Sequence, residues 1–532
     1  MKKILALLLF TSAQLFSQSS LNVTLAAHFP YGSGRTCANI CGYVDSTGRE
    51  YALVGVDNGM SVVDVTTPTA PFQVYQIMWP VQNINSEWKE IKVFKKYAYV
   101  VSEAGGGVQI VDLSHLPDTT KPVPVYWKPV IGTQTLSSVH ALHIDTTKGN
   151  IYLYGSNIGV KGAVIGSLAN PTAPTYLGRF NTLYVHDGYV DNDTLWACEV
   201  YAGQLQAVDC SNKANPSVIA TVQTPLAFTH NSWMSPDRKT MFTTDEKSKS
   251  YLTSYDISAL PNLTLLDTIK GLSTGSIVHN THIRPDNFAV TSWYRDGFTI
   301  VDVTHPNNMV MTGYYDTYPS GSGNGFNGDW GVYPFLPSGT IIVSNIEDGL
   351  WVFTPNYVRA CYLEGNVQDS MTLFNLQNVN IQILTVSGTY AATDVSGNYA
   401  DGTAAAGTYN VQFSKTGYQT KIINNVVLQN GVTTTLNAQL VPLAFSVAAL
   451  QNSETFLSGQ TVFEGSTTLK YYLSNRDAAN ASLKVIDYSG KVVIEQKLND
   501  MMGEITVGEG WAAGVYMVTL NSGKTVKIVK TN

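Results

Sequence analysis

Residues 279–315 read HNTHIRPDNFAVTSWYRDGFTIVDVTHPNNMVMTGYY. Runs of β-branched and aromatic residues alternate here with turn-forming residues, such as those at 284–287 and 295–297. The pattern predicts four short strands that follow one another through tight turns. Four strands in this order are the content of one blade of a β-propeller.

The same order of strands recurs along the chain at intervals of about 44 to 51 residues, a period that is typical of propellers. The third strand of most units is an apolar run that ends in Asp, as in Ile300-Val-Asp302. We predict that this Asp accepts backbone N–H bonds in the turn that follows. The first strands are predicted to begin at Asn39, Glu90, His140, His186, His230, His279 and Asp329.

The ends of the repeat array predict how the propeller closes. The last unit stops after its third strand at residues 350–353, and residues 22–28 read as a fourth strand ahead of the first unit. Seven first strands and seven fourth strands balance only if this N-terminal strand completes the last blade. Closure would leave no open sheet edge. We therefore predict an all-β protein that starts with a seven-bladed β-propeller over residues 18–357.

The repeated apolar runs that end in Asp are also a family signature. Val62-Val-Asp64, Ile110-Val-Asp112 and Ile300-Val-Asp302 resemble the Leu-Val-Ile-Val-Asp (LVIVD) repeat of secreted bacterial proteins. The arrangement is similar in particular to the choice-of-anchor B family, over about residues 21–357. This resemblance implies an exported propeller and no particular activity.

Two further β-modules follow the repeats. Residues 358–442 contain a turn at 393–399 and a Gly-x-Tyr-x-Val strand at 407–413. They resemble the carboxypeptidase regulatory-like domain, a transthyretin-like β-sandwich, which implies a spacer or interaction module without catalysis.

The last module, residues 443–532, has an Asp-x-x-Gly-Lys turn at 487–491, an Ala-Gly-Val-Tyr strand at 513–520 and a Lys-rich final strand. It resembles the sorting domain of the type IX secretion system of Bacteroidetes, an Ig-like β-sandwich. That resemblance implies the type IX secretion machinery as a partner. An ordinary terminal Ig-like domain is the alternative.

The composition and the N-terminus indicate export. Residues 1–17 read as a signal peptide, because Lys2 and Lys3 precede an apolar run at 4–10 that is too short to span a bilayer. No other segment reaches about 18 apolar residues, so we expect no transmembrane segment in the mature chain.

The net charge of −7 argues against nucleic-acid binding. The five Cys lack metal-site spacing and are predicted to be small buried residues.

The most suggestive chemical feature is the residue that opens each first strand. Four of the nine His stand at equivalent positions in consecutive units, and first strands line a propeller's channel, so we expect these side chains to converge. Neutral imidazoles with carboxylates behind them suit Zn, Cu or Fe. The alternative is that these His bond to neighbouring strands or water. The candidate metal ligands are His140, His186, His230 and His279, with Glu90, Glu103, Glu199, Glu246 and Asp329 as outer carboxylates.

Other side chains near the channel have blander interpretations. His143 and His282 lie three residues after a candidate ligand, and a period of two predicts that they face away from the channel in structural roles. Aromatic residues at the ends of first and second strands could form a rim that binds sugar or peptide, or could pack between blades. They are Trp88, Trp233, Trp293, Tyr294 and Trp330.

Two function classes remain open from the sequence. The first is a secreted or cell-surface binding or adhesion protein with an extracellular glycan or protein ligand, exported through Sec and then the type IX system. The second is a metal-dependent enzyme, an oxidoreductase or hydrolase, with its chemistry at the His ring. The chain has no G-x-S-x-G, P-loop or H-E-x-x-H motif.

Overall fold

The computed structural model describes residues 19–82, 88–386, 388, 390–443, 455–474 and 481–531. The predicted signal peptide at residues 1–17 lies outside the described residues. Every regular element in the described part is a β-strand, and no helix there could cross a membrane. The chain forms two compact units. Unit 1 is Met1–Tyr362 with Gly402–Ala406 and Gln429–Val432, and unit 2 is the remainder.

Within its described residues, the first unit contains seven antiparallel sheets in which four strands follow one another, numbered here as blades one to seven by their first strands. The first strands are Cys37–Val44, Lys89–Phe94, Ala141–Asp145, Asp187–Asp191, Thr229–Met234, Thr281–Ile283 and Asp329–Tyr333. The second strands are Glu50–Val56, Tyr97–Ser102, Asn150–Tyr154, Thr194–Glu199, Thr240–Asp245, Phe288–Ser292 and Ile341–Asn345. The third strands are Gly59–Asp64, Val108–Asp112, Ala163–Ser167, Gln204–Asp209, Leu252–Asp256, Phe298–Asp302 and Gly349–Pro355. The fourth strands are Phe72–Met78, Val125–Trp127, Thr175–Phe180, Ser217–Gln223, Thr264–Ile269, Val310–Tyr315 and Val23–Phe29.

The first strands of neighbouring blades contact one another around a closed ring. Val23–Phe29 pairs with Gly349–Pro355, so the N-terminal strand completes the last blade as predicted. Across the closure, the Glu50 carboxylate of blade one accepts bonds from the Ser338 backbone N–H at 2.7 Å and the Ser338 hydroxyl at 2.5 Å. The pairing and these bonds join the two ends of the repeat array. Three short strands lie outside the four-strand pattern: Ser20–Leu21 on the sheet of blade six, and the hairpin of Val130–Ile131 and Gln134–Thr135.

Two features of the repeat show how its sequence gives the blade. The apolar side chains of neighbouring sheets pack together. For example, the fully buried Val290 of blade six and Phe353 of blade seven belong to the same core cluster. The Asp that ends a third strand accepts the backbone N–H two residues later, which confirms its predicted role in the turn. This bond forms at Asp64, Asp112, Asp209, Asp256 and Asp302. The five cysteines are free and buried, as predicted.

The rest of the chain is also built from strands. Two small sheets are made by Cys361–Asp369, Asn380–Ile383, Ala391–Ala392, Asn398–Thr403, Gly407–Ser414, Lys421–Leu428, Thr433–Thr435 and Ala438–Leu440. A three-stranded and a five-stranded sheet are made by Phe456–Gly459, Val462–Phe463, Thr467–Tyr472, Ser482–Asp487, Val492–Lys497, Met502–Val507, Gly514–Leu520 and Thr525–Lys530. In the predicted turn, the Asp487 carboxylate accepts the backbone N–H of Ser489 at 2.9 Å and of Lys491 at 3.1 Å.

Candidate metal site in the propeller channel

The backbone presents four histidines from four consecutive blades. His140, His186 and His279 precede their first strands, and each donates its backbone N–H to a carbonyl near the end of the second strand of its own blade, at 2.8–3.0 Å. His230 lies at a β-bulge between Thr229 and Asn231. A bulge re-aims the side chain that it carries. These local features fix the backbone position from which each imidazole side chain extends.

The structure brings the four imidazoles together in chain order. Ring centroids lie 4.0 Å apart for His140 and His186, 4.6 Å for His186 and His230, and 4.4 Å for His230 and His279. His230 and His279 are buried. The predicted convergence of these side chains is therefore seen in the geometry.

Glu246 joins the cluster from the end of the second strand of blade five. His186, His230 and Glu246 each offer one ligand atom, and these atoms all lie within 4.8 Å of one another. A Glu246 oxygen is 3.8 Å from His230 Nε2, and the other is 3.9 Å from His279 Nε2. The buried Tyr294 hydroxyl donates to Glu246 Oε1 at 2.5 Å. A metal bound about 2.0–2.2 Å from each ligand would draw these atoms closer together.

Three buried ring nitrogens in the cluster have no hydrogen-bond partner among the described residues: His186 Nδ1, His230 Nδ1 and His279 Nε2. His279 Nδ1 lies 2.5 Å from the Trp330 carbonyl, so this nitrogen carries the proton and Nε2 carries the lone pair. A buried polar atom without a partner costs about 1–3 kcal/mol. A ligand that accepts these lone pairs would remove that cost.

The electrostatics favour neutral imidazoles at three of the four positions. Burial lowers the pKa of His230 and the pKa of His279 to about 3, and it lowers the pKa of His186 well below its usual value. Burial alone would also lower the pKa of His140, but the hydrogen bond and charge of Glu103 outweigh it and raise that pKa. Neutral imidazoles are the form that binds a metal.

Among the predicted outer carboxylates, Glu103 and Glu246 contact the histidines. Glu103 Oε1 lies 2.6 Å from His140 Nδ1. Glu90 does not reach the cluster through any contact in the described residues, because its carboxylate bonds to the Asn39 amide and the Lys92 ammonium instead.

Two other predicted carboxylates are buried and form hydrogen bonds with residues other than the four histidines. Glu199 accepts a bond from Gln204 Nε2 at 2.6 Å, and burial raises its pKa to about 7. Asp329 accepts a bond from the Thr317 hydroxyl, and burial raises its pKa well above the usual value. Neither has a contact with the four histidines in the described part of the chain.

The strand register explains why Glu90 is displaced. Lys89 pairs with Ser102 just before Glu103, as Asp187 pairs with Cys198 just before Glu199. The residue of blade two that matches His186 is therefore Trp88, two positions ahead of Glu90. Period-two alternation keeps Glu90 on the channel side but further along the strand.

A bulge explains the position of Asp329. The register shifts between Asp329 and Gly331, so the intervening Trp330 turns to the cluster. The Trp330 ring lies 4.5 Å from that of His279 and stacks on Trp88 at 4.6 Å. Two tryptophans thus continue the row of side chains that the four histidines begin, and neither was predicted as a member.

The remaining predictions near the channel have mixed outcomes. Trp293 and Tyr294 are fully buried, so neither lies on an exposed rim. Trp293 packs with apolar residues of blades five and six, and Tyr294 contacts Glu246 and His279 in the cluster. The predicted orientation of His143 and His282 is wrong, because both line a cavity at the first strands together with Trp233. Alternation holds only inside a paired strand, and the reference residues His140 and His279 precede the strands that begin at Ala141 and Thr281.

Comparisons with known proteins agree with the three resemblances. The LVIVD repeat model matches residues 49–78, 88–119 and 287–317. The carboxypeptidase regulatory-like domain matches residues 363–441, and the secretion system C-terminal sorting domain matches residues 465–531. This is therefore a secreted or cell-surface protein that carries a type IX sorting domain.

The wider comparisons add little about activity. No curated protein matches the sequence. A solved structure, the crystal structure of the Myceliophteria thermophila Cps50 (Swd1) beta-propeller domain, is similar at 9% identity and a TM-score of 0.46. The match covers 63% of this chain and 100% of that one.

Proposed function

We propose that this secreted or cell-surface protein binds a divalent transition metal in its propeller channel through His186, His230 and Glu246. The observation that carries the proposal is the convergence of these three ligand atoms to within 4.8 Å of one another. Two imidazole nitrogens and a carboxylate oxygen suit Zn, Fe or Cu. The low pKa values of the two histidines keep their lone pairs free at neutral pH.

The groups around the cluster support the proposal. Metal-binding histidines usually donate their second ring N–H to a carboxylate or a carbonyl, and bound carboxylates accept further hydrogen bonds. Among the proposed ligands, Glu246 has the Tyr294 hydroxyl, and a backbone hydrogen bond to His279 raises the pKa of His230 against the larger lowering by burial. The neighbouring His140 and His279 have Glu103 and the Trp330 carbonyl.

A metal-dependent enzyme is the second candidate function, and His279 separates it from a binding role. Four protein ligands close a structural site, whereas three leave a coordination position for substrate. Two His and one carboxylate with open positions is the ligand set of non-haem Fe(II) oxygenases. If His279 completes the coordination, H279A should lose the metal. If the site is open for chemistry, H279A should retain it.

The test is elemental analysis of the purified protein after it is loaded with Zn, Cu or Fe and dialysed. We expect about one metal per chain, and a rise in the thermal unfolding temperature on loading, because a ligand that binds only the folded state stabilises it. H186A and H230A should each lose the metal and the thermal shift. H143A changes another channel histidine outside the cluster and is the matched control. Metal below about 0.1 per chain in the wild type, with no thermal shift, would contradict the proposal.

We also propose the domain boundaries predicted from the sequence, with the propeller ending at 357 and the second module at 442. Family matches that begin at residues 363 and 465 support both boundaries. The propeller would then be the ligand-binding part, and the sorting domain would direct export.

A further inference from the structure

A cavity of about 500 Å³ lies at the first strands, and none of the proposed metal ligands lines it. Its lining includes His143, Tyr189, Trp233 and His282. In blades three to six these residues stand three positions after His140, His186, His230 and His279. The same four first strands thus supply both the metal cluster and this cavity. Its volume falls within the range of about 300–1,000 Å³ that is typical of small-molecule sites.

Aromatic rings gather around Trp233, which is partly exposed. Its ring centroid lies 4.6 Å from that of His282, 5.1 Å from Tyr189 and 5.7 Å from His143. Phe335 stacks on Trp233 at 5.6 Å with an interplanar angle of 23°. These contacts hold a cluster of planar rings at the cavity, and such rings offer flat apolar faces to a ligand.

The charges of the lining cancel. It contains two lysines, Lys92 and Lys95, and two aspartates, Asp145 and Asp191. Outside the lining, Glu90 pairs with Lys92 and Arg238 pairs with Asp191, so these two ion pairs leave the balance of charge unchanged. Burial lowers the pKa of the cavity histidines, so these side chains are neutral. The cavity therefore suits a ligand without net charge.

The lining also carries polar atoms that can contact such a ligand. His143 Nδ1 accepts the backbone N–H of Val190 at 3.3 Å, so its Nε2 carries the proton and is a donor. His282 is 6% exposed, and its Nδ1 has no hydrogen-bond partner in the described part of the chain. Tyr189 and Tyr333, two residues with hydroxyl groups, belong to the same lining. A purely aliphatic ligand would leave these groups unpaired, which is costly.

We propose that this cavity binds one neutral pyranose ring at the end of an extracellular glycan chain. A pyranose has a face of C–H bonds that packs on an aromatic ring and an edge of hydroxyls that donate and accept hydrogen bonds. Flat aromatic faces, neutral donors and acceptors, and a lining of zero net charge match both parts of that ring. The inference does not rest on the metal, since His186, His230 and Glu246 do not line the cavity.

The test is calorimetric titration of the purified protein with maltose, cellobiose and lactose, which carry neutral pyranose ends. At least one should bind, and W233A should weaken that affinity about tenfold or more, because a stacked aromatic at the centre of a site commonly contributes this much. W233F keeps a ring at the position and should bind with an intermediate affinity. Retention on the matching insoluble polysaccharide, released by the free disaccharide, distinguishes a glycan chain from a free sugar.

One control makes the result specific. Y176A removes a partly exposed tyrosine from the fourth strand of blade three, outside the cavity. It should bind the sugar as the wild type does. The proposal is wrong if no disaccharide binds at about 10 mM, a concentration that detects even millimolar affinities. It is also wrong if folded W233A and W233F bind as the wild type does, or if N-acetyltryptophanamide binds the same cavity in place of the sugars.

Discussion

Replacing Glu199 by Gln should change how the stability of the propeller depends on pH. Glu199 ends the second strand of blade four and is fully buried. One of its carboxylate oxygens accepts a bond from Gln204, and the other, Oε1, has no partner among the residues that the structure describes. Burial raises the pKa to about 7, against a smaller lowering effect of the Gln204 bond. The folded protein therefore holds this carboxyl in its neutral form more tightly than the unfolded chain does.

The magnitude follows from the two pKa values. The ordinary value is 4.5 and the folded value about 7. Because the folded pKa is raised, the stabilisation is fully present below the unfolded pKa and is lost as pH rises through the folded one. At about 1.4 kcal/mol per pKa unit, ionisation costs the wild type up to about 3 kcal/mol at pH 8. E199Q cannot ionise, so its advantage in unfolding free energy should grow from near zero at low pH to about that amount.

The assay is urea unfolding of wild type and E199Q at several pH values, followed by tryptophan fluorescence. The difference between the two proteins at each pH removes the contributions of all shared titrating groups. E347Q removes an exposed carboxylate from the same propeller and controls for the change in formal charge. A difference that stays constant with pH would refute the reasoning. An E199Q protein that is less stable than the wild type at pH 8 would also refute it, because the ionised Glu199 would then stabilise the folded protein.

Two further substitutions test the site and the blade packing. Y294F removes the hydroxyl that donates to Glu246 Oε1. We expect this variant to bind the metal about tenfold more weakly in a chelator competition, because loss of such a partner typically has that effect. Equal affinity would show that this bond does not orient the carboxylate. G178A would place a Cβ 1.7 Å from the Lys213 carbonyl, so the strand must move, and we expect urea unfolding to show a loss of about 1–3 kcal/mol. G321A, whose Cβ would meet the Tyr318 ring at 3.2 Å and the Arg295 side chain at 3.9 Å, should lose less.

The fold was predictable because its signals are local and repeated. An Asp side chain that accepts the backbone N–H two residues later forms the same turn in different blades, as at Asp64 and Asp302. Apolar runs between such turns then pair with their sequence neighbours, so in blades one to six the four blade strands pair in the order in which they follow along the chain. The completion of the last blade by Val23–Phe29 required only a count of strand types.

The site was only half predictable, because its geometry depends on where pairing begins. The four histidines were found from their equal spacing. Glu90 and Asp329 were predicted to stand at positions equivalent to the histidines, and they do not. In blade two the strand pairing begins at Lys89, and in blade seven a bulge at Trp330 shifts the register. Neither event leaves a mark in the sequence, because a bulge depends on the partner strand as well as on its own residues.

The charges near the two groups of histidines act on their pKa values in different ways. Against burial, Glu103, Asp187 and Glu246 raise the pKa of His140. In addition to burial, the charge of His140 lowers the pKa of His186 and of His230. After burial, the charge of Lys92 helps to lower the pKa of His143 and of His282. A buried ion pair such as Lys92 with Glu90 contributes little net stability, because desolvation offsets the attraction. At the aromatic cavity, burial and Lys92 therefore act together to keep both imidazoles neutral, which is the state that the proposed neutral ligand requires.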